Sequence, residues 1–475
     1  MRPLLLSSTF WAVLIVTVGV LMHARPLRAL YSADRGSNPQ MSVLLSVATW
    51  VLLAGGVLNI GLRLTAGYIN PRDFVQDYVA ASQFLDGESM YPADVATRGA
   101  AATGENFPGR EALLASPVFR GEFGRITETA PANAHPPFVG MIMAMPVAVG
   151  GLRGSYLIMA FSLLLILLLC VKAIVAELGQ KPSVTSWLLI AGLLLGWHPV
   201  NAAIRSAQPG ILLLGCLTAG WLSLRRSHSG KAGVWFGLAA SIQAFPLLLV
   251  AYTLLRDRRA FASAVLCLTS VTVLTTVLAP DGSYSQWSET MSWIAPLFVT
   301  APENISFTGL VMRGGELFGK QLPLTVVSLG VMATVLSWPA WHFVTKLWRG
   351  GSAESRDIEV AIVVVLMVAL SPLSWTRYLP VLLLPIAVLM VTMSACMTRR
   401  GTIWLLIAAA AISVPDGTIV AGYSWLSARG WNALAYILTA CIPAGMSIMV
   451  VRLALLHRPS CSSDMSVTGA QSRAV

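Results

Sequence analysis

The scarcest ingredient of this sequence is charge. Only 11% of its 475 residues are Asp, Glu, Lys or Arg, whereas soluble domains carry about a quarter. That excludes an ordinary water-soluble globule. The alternating apolar and polar residues of a membrane β-barrel are missing too, so spans in this chain have to satisfy their backbone internally, as helices. No CxxC pair or His/Cys cluster is present, and no metal or other cofactor is expected. Five of the six cysteines (Cys170, Cys216, Cys267, Cys396 and Cys441) fall in apolar runs and Cys461 in the C-terminal tail, which argues against a disulfide framework. The sequence has no internal repeat, Arg-rich arm or aromatic-interleaved basic patch, so its formal net charge of +11 does not point to nucleic acid. Lys and Arg concentrated in cytoplasmic loops account for it.

What fills the space is hydrophobic, 56% of the chain. Apolar runs predict spans at 4–22, 43–62, 155–176, 183–198, 209–224, 262–279, 322–343, 358–375, 378–397, 402–415 and 431–450. The stretch 232–255 is too apolar to leave the membrane, and Pro246 interrupts it. It reads as two short helices meeting at Gln243–Pro246. The expected fold is an all-α polytopic bundle of roughly 12 to 13 membrane helices. The first span resembles a signal peptide in length, but Arg25, Arg28 and Arg35 follow it, which favours a retained helix.

Basic clusters set the expected orientation. Arg225, Arg226 and Lys231; Arg256, Arg258 and Arg259; Lys346, Arg349 and Arg356; Arg399 and Arg400; and Arg452 and Arg458 can all be cytoplasmic if the spans alternate. The chain then divides into N-terminal helices at 1–62, an outer segment at 63–154, a bundle at 155–458 with a second outer loop at 280–321, and a polar cytoplasmic tail at 459–475. The first outer loop is too long for a simple connection, so a small folded cap is expected there. Residues 137–150, punctuated by Pro137 and Pro146, read as a helix at or dipping into the outer face.

Polar side chains in these outer positions are the candidates for chemistry. Asp73 and Asp77 stand four apart, on one face of any helix they share. Such a pair can take a proton from an attacking hydroxyl, hold hydroxyls by hydrogen bonds, bind a cation, or simply be solvated. His135 precedes Pro136 and Pro137, which suit a helix start. It can orient a substrate or cap the helix. His198, Asn201, Arg205 and Gln208 lie between two spans, Gln243 in the broken helix, Asn304, Ser306 and Arg313 in the second outer loop, and Trp375, Arg377 and Tyr378 in a tight turn. Outer arginines run against the charge bias; a phosphate at the bilayer surface explains them, as does snorkelling. Asn304-Ile-Ser306 also reads as a glycosylation sequon.

Taken together, these pieces resemble glycosyltransferase family 87, multi-span enzymes of the GT-C superfamily. The resemblance is carried by Asp73-Phe…Asp77-Tyr78…Ala80-Ala81…Leu85…Gly87…Tyr91, by His135-Pro-Pro-Phe138, by Gln208-Pro-Gly210, by Gly237-Leu-Ala-Ala-Ser-Ile-Gln243-Ala-Phe-Pro246, by Asn304-Ile-Ser306-Phe…Arg313, and by Ser371-Pro-Leu-Ser-Trp375-Thr-Arg377-Tyr378. It implies a GT-C-like bundle with a folded first outer loop and inverting transfer of a sugar. Mannose or arabinofuranose would pass from a polyprenyl-phosphate donor to an envelope glycolipid or polysaccharide on the outer face of the plasma membrane, among membrane lipids. It assigns the base to Asp73, with Asp77 as alternate or helper. Substrate and donor binding fall to Tyr78, Tyr91, His135, Gln208, Gln243, Asn304, Ser306, Arg313, Trp375 and Arg377, with Arg313 and Arg377 on the phosphate. Gln243 stands where the family commonly has Lys, so hydrogen bonding there comes without charge. The competing class is a transporter or lipid flippase. Those usually carry ionisable groups at mid-span, where this chain has almost none.

Overall fold

The computed structural model describes residues 39–69, 72–91, 133–347, 353–395 and 399–456. The expected first span, most of the first outer loop and the polar tail lie outside the described residues, as does the side chain of Asp73. The described chain is all-α. In order come α1 (Pro39–Ile69), α2 (Arg72–Leu85), α3 (Pro137–Glu177), α4 (Val184–Gly196), α5 (His198–Ser206), α6 (Gly210–Arg225), α7 (Ser229–Ile242), α8 (Leu247–Arg256) and α9 (Arg258–Leu278). They are followed by α10 (Ser283–Val299), α11 (Phe307–Leu317), α12 (Leu324–Leu347), α13 (Ala353–Leu370), a 3-10 turn (Thr376–Leu382), α14 (Leu383–Ala395), α15 (Arg399–Ile412), α16 (Asp416–Ser427), α17 (Asn432–Thr439) and α18 (Cys441–Leu456).

Among the described residues, three stretches are long and apolar enough to cross a membrane alone, Ser46–Ile69, Pro137–Glu177 and Arg258–Leu278, and the total reaches 6 if each of three bent pairs counts as one span. Large apolar side chains such as Val57, Leu165, Leu168, Leu274 and Val277 cover the outer faces of these helices. Hydrocarbon is the solvent that tolerates such a surface, and the chain is a polytopic membrane protein. Two details differ from the sequence-based expectation. The span expected to end at residue 62 runs on to Ile69, which places Arg63 inside the helix rather than beyond it. The expected surface helix at 137–150 is continuous with the next span across a kink at Gly151, whose φ of 57° and ψ of −167° only glycine adopts freely.

α13 is the centre of the bundle. Every residue from Asp357 to Leu370 is buried, and α6, α8, α11, α12, α14, α18 and the 3-10 turn all pack against it. A helix apolar all round belongs in such a place. Its two buried acids are matched by cations from neighbouring helices. Asp357 accepts from Trp221 Nε1 at 2.8 Å and from Arg225 Nη1 at 2.9 Å. Glu359 accepts from Tyr252 Oη at 2.9 Å and takes a bidentate pair of hydrogen bonds from Arg256 Nε and Nη2. Arg225 and Arg226 also reach Glu177 at the end of α3. The acidic end of α3 and the basic ends of α6 and α8 are thereby gathered at one end of α13, and the turn at Ser371–Tyr378 stands at the other.

The Pro246 break produces a hairpin. Ser229, which opens α7, hydrogen-bonds Asp257 just after α8, so both feet of the hairpin stand together at the ion-paired end. Its tip carries Gln243 toward the opposite end. The hairpin explains why two basic clusters flank one apolar stretch.

Glu359→Gln removes half of a buried pair and leaves Arg256 uncompensated. A loss of about 3–5 kcal/mol is expected, read as a lowered thermal midpoint of the detergent-solubilised protein. The double change Arg256→Met with Glu359→Leu is expected to recover most of it.

Candidate active site

α2 lies across the end of α3, fixed by the edge-to-face contact of Phe74 with Tyr156 at 5.7 Å. This packing turns Asp77 inward, where its side chain is 0% exposed. Asp77 Oδ1 meets His135 Nδ1 at 2.6 Å. Asp77 Oδ2 is buried with no hydrogen-bond partner among the described residues.

His135 is held from its backbone outward. Its N–H donates to Asn133 Oδ1 at 3.0 Å, a local Asx-type bond. Its carbonyl accepts from the Tyr91 hydroxyl at 2.6 Å. The neighbouring Ala134 carbonyl accepts from Trp287 Nε1 at 3.2 Å. Pro136 and Pro137 then start α3 without wasting a backbone donor. The second outer segment supports the same corner, because Ser89 Oγ donates to Gln286 Oε1 at 2.6 Å and Trp287 packs with Phe84, Met90 and Tyr91. Burial, more than the neighbouring Tyr284 and Asp77, pushes the Tyr91 phenol well above its usual value, so it remains a donor at any physiological pH.

α5 packs against both α2 and the 3-10 turn, which brings the second group of expected residues to this end of the bundle. Gln208-Pro-Gly210 meets the turn closely; a Cβ on Gly210 would stand 2.4 Å from the Arg377 carbonyl oxygen. Gln243 Nε2 donates to the Tyr378 hydroxyl at 3.3 Å. The guanidinium of Arg377 lies over the Trp375 ring, 5.3 Å from its centroid.

Asn304 and Ser306 are occupied in joining two loops. Asn304 Nδ2 donates to the carbonyls of Val299 and Pro372, each at 2.9 Å, and Oδ1 accepts from the N–H groups of Ser306 and Ser374. Ser306 Oγ donates to Pro372 O at 3.0 Å and caps α11 through Gly309 N. The sequon expectation is corrected here, since Asn304 is 0% exposed and its amide is fully bonded. Arg313 is likewise turned into the protein, donating to the carbonyls of Ala301 and Asn304 and to Thr439 Oγ1. Burial pulls its guanidinium down to about 10, still a cation at neutral pH. Its donors brace the loop that carries Asn304.

A second His–Asp pair escaped the sequence reading. His198 Nε2 meets Asp416 Oδ1 at 2.8 Å, and Thr376 Oγ1 donates to Asp416 Oδ2 at 3.0 Å. The signal available was Pro415-Asp416-Gly417, an acid at a helix start within an apolar stretch.

The family model of glycosyltransferase family 87 matches residues 133–372. The chain belongs to glycosyltransferase family 87. No curated protein and no solved structure matches it. In this membrane glycosyltransferase the matched segment begins two residues before His135 and ends three before Trp375. It takes in Gln208, Gln243, Asn304, Ser306 and Arg313, and leaves Asp77, Tyr78 and Tyr91 on its N-terminal side and Arg377 on its C-terminal side. The fold joins what the match leaves out, through the Asp77–His135 contact and through the Gln243–Tyr378 bond.

Tyr91→Phe removes one donor from the buried His135 carbonyl. The expected cost is about 1 kcal/mol of stability, measured by thermal unfolding, together with a lowered transfer rate.

Proposed function

We propose that this glycosyltransferase moves a sugar, mannose or arabinofuranose, from a polyprenyl-phosphate donor to a glycolipid or polysaccharide acceptor of the cell envelope, with inversion, on the extracytoplasmic face of the plasma membrane. The observation that carries this reading is the free oxygen of Asp77, a buried carboxylate acceptor held by His135 at its other oxygen. An unmade hydrogen bond at a buried carboxylate is costly, and an acceptor hydroxyl arriving as a donor satisfies it. The hydroxyl proton passes to Asp77 as the hydroxyl oxygen attacks the anomeric carbon. The bond from that carbon to the donor's phosphate oxygen breaks, and the phosphate leaves with the electron pair. His135 keeps the carboxylate oriented. Asp73, one helical turn earlier on α2, is the alternate base.

The leaving group needs positive charge near its oxygens. Arg313 is set aside because its donors are spent on Ala301, Asn304 and Thr439, and the role goes to Arg377, whose guanidinium lies over the Trp375 ring. Gln243 and Tyr378 supply neutral hydrogen bonds beside it, and Trp375 offers a ring edge to a sugar, whereas Tyr78 is buried in the core. The orientation rests on the basic ends of α6 and α8 standing at the end of α13 opposite Trp375. A donor confined to the bilayer surface meets a site fixed there, which removes much of the entropic cost of assembling two reactants.

Membrane fractions carrying Asp77→Asn are expected to lose roughly 10²- to 10⁴-fold in transfer of radiolabelled sugar from polyprenyl phosphate, the usual reach of a general base. Undiminished transfer would remove Asp77 from this role. In a cysteine-free background, Glu88→Cys on intact cells is expected to react with a membrane-impermeant maleimide. Labelling only after permeabilisation reverses the orientation.

A further inference from the structure

Arg63 is a cation placed where one is expensive. It lies six residues before the end of α1, roughly 9 Å along the axis from that end, within the stretch Ser46–Ile69 that is apolar enough to span a membrane. Its side chain is half-buried and makes no hydrogen bond or ion pair among the described residues. One turn later the backbone of Gly67 is so close to α5 that a Cβ would stand 2.7 Å from the Arg205 carbonyl oxygen and against the Tyr156 hydroxyl. α1 and α5 are therefore in contact at this level. Arg205 is in electrostatic reach of Arg63, is exposed, and also makes no hydrogen bond or ion pair among the described residues. Two guanidinium groups on adjacent helices repel one another unless something negative lies between them.

Among the described residues, the carboxylate in electrostatic reach of Arg63 does not fill that need. Asp416 is in electrostatic reach of Arg63, but its Oδ1 accepts from His198 Nε2 and Gly417 N and its Oδ2 from Thr376 Oγ1. Among the described residues, one acid set against these two arginines leaves net positive charge where α1 meets α5. Ionisable groups at membrane depth that lack a protein partner mark ligand sites, and a guanidinium fork matches phosphate oxygens.

We propose that Arg63 and Arg205 form a binding site for the phosphate of a lipid-borne phosphate ester, with Asp416, His198 and Thr376 holding the rim of the site in place. Resting on the transfer reading above, which also sets Arg377 on it, the occupant is the donor's phosphate. Its prenyl chain lies along the apolar face of α1, where Val57, Leu58 and Leu62 are exposed. A membrane phospholipid offers the same phosphate chemistry.

The test uses the full-length protein in detergent, with farnesyl phosphate as probe and affinity read by thermophoresis. Arg63→Gln and Arg205→Gln are each expected to weaken binding on the order of tenfold, the value of a charge-assisted hydrogen bond. Arg63→Lys keeps the charge without the fork and is expected to fall between them and wild type. Arg205 is exposed, so its variant folds and keeps the test decisive even if Arg63→Gln does not. Asp77→Asn is expected to bind farnesyl phosphate as wild type does, which separates failure of this site from failure of the proposed base. Wild-type affinity in both glutamine variants overturns the site. Displacement of farnesyl phosphate by phosphatidylglycerol at equal concentration keeps the phosphate site but overturns its assignment to the donor, and displacement by inorganic phosphate alone overturns the contribution of the prenyl chain.

Discussion

Asp357 and Glu359 sit in the most enclosed helix of the molecule, and neither can be there without its cationic partner. A buried carboxylate is stable only when a countercharge and further donors complete its shell. Arg225 with Trp221, and Arg256 with Tyr252, supply both. Because those partners come from α6 and α8, the pairs fix the heights of three helices against each other. In a bilayer, where apolar surface gives no preference for one sliding position over another, such polar contacts set the register. The same pairs mark one end of α13 as the basic end, with the turn after Leu370 at the other.

The far end is built on a different physical logic. Asn304 zips the second outer segment to Ser371–Ser374, Gly210 admits the Arg377 carbonyl, and the α7–α8 hairpin delivers Gln243 to Tyr378. Little of this is apolar packing. The loops are joined by hydrogen bonds to main-chain groups, which orients side chains without needing bulk. Onto that frame the first outer segment docks through Asp77 and His135, two residues 58 positions apart. The site is thus assembled from segments that are separately unremarkable acids, histidines and turns.

Charge is distributed unevenly over this frame. At one end of α13, Asp357, Glu359 and Glu177 are matched by Arg225, Arg226 and Arg256. Around α5 the balance shifts, with Asp416 shared among three donors and Arg63 and Arg205 left over. A carboxylate with a free oxygen and a pair of guanidinium groups therefore occupy neighbouring parts of the same end, contributed by α2 on one side and α1 with α5 on the other. The proposed transfer would set Asp77 as base on one side and Arg377 with these two guanidinium groups on the leaving phosphate at the other.

The sequence by itself determined the class of the molecule. With 11% charged residues no arrangement but helices in lipid satisfies the backbone, and Pro246 broke the 232–255 run where the hairpin tip stands. It also named His135, Gln208, Gln243 and Trp375–Tyr378 as residues of interest, because polar groups beside apolar runs are conspicuous. It did not extend α1 to Ile69, since a lone Arg63 looks like a span's end until the neighbouring helices are seen. Nor did it join His198 to Asp416, 218 positions apart, or distinguish Arg313 from Arg377. Local pattern records how each segment meets lipid or water. Which donors are consumed and which acceptors are left open depends on partners brought together only by the packing of distant helices, and that was decided by the tertiary structure.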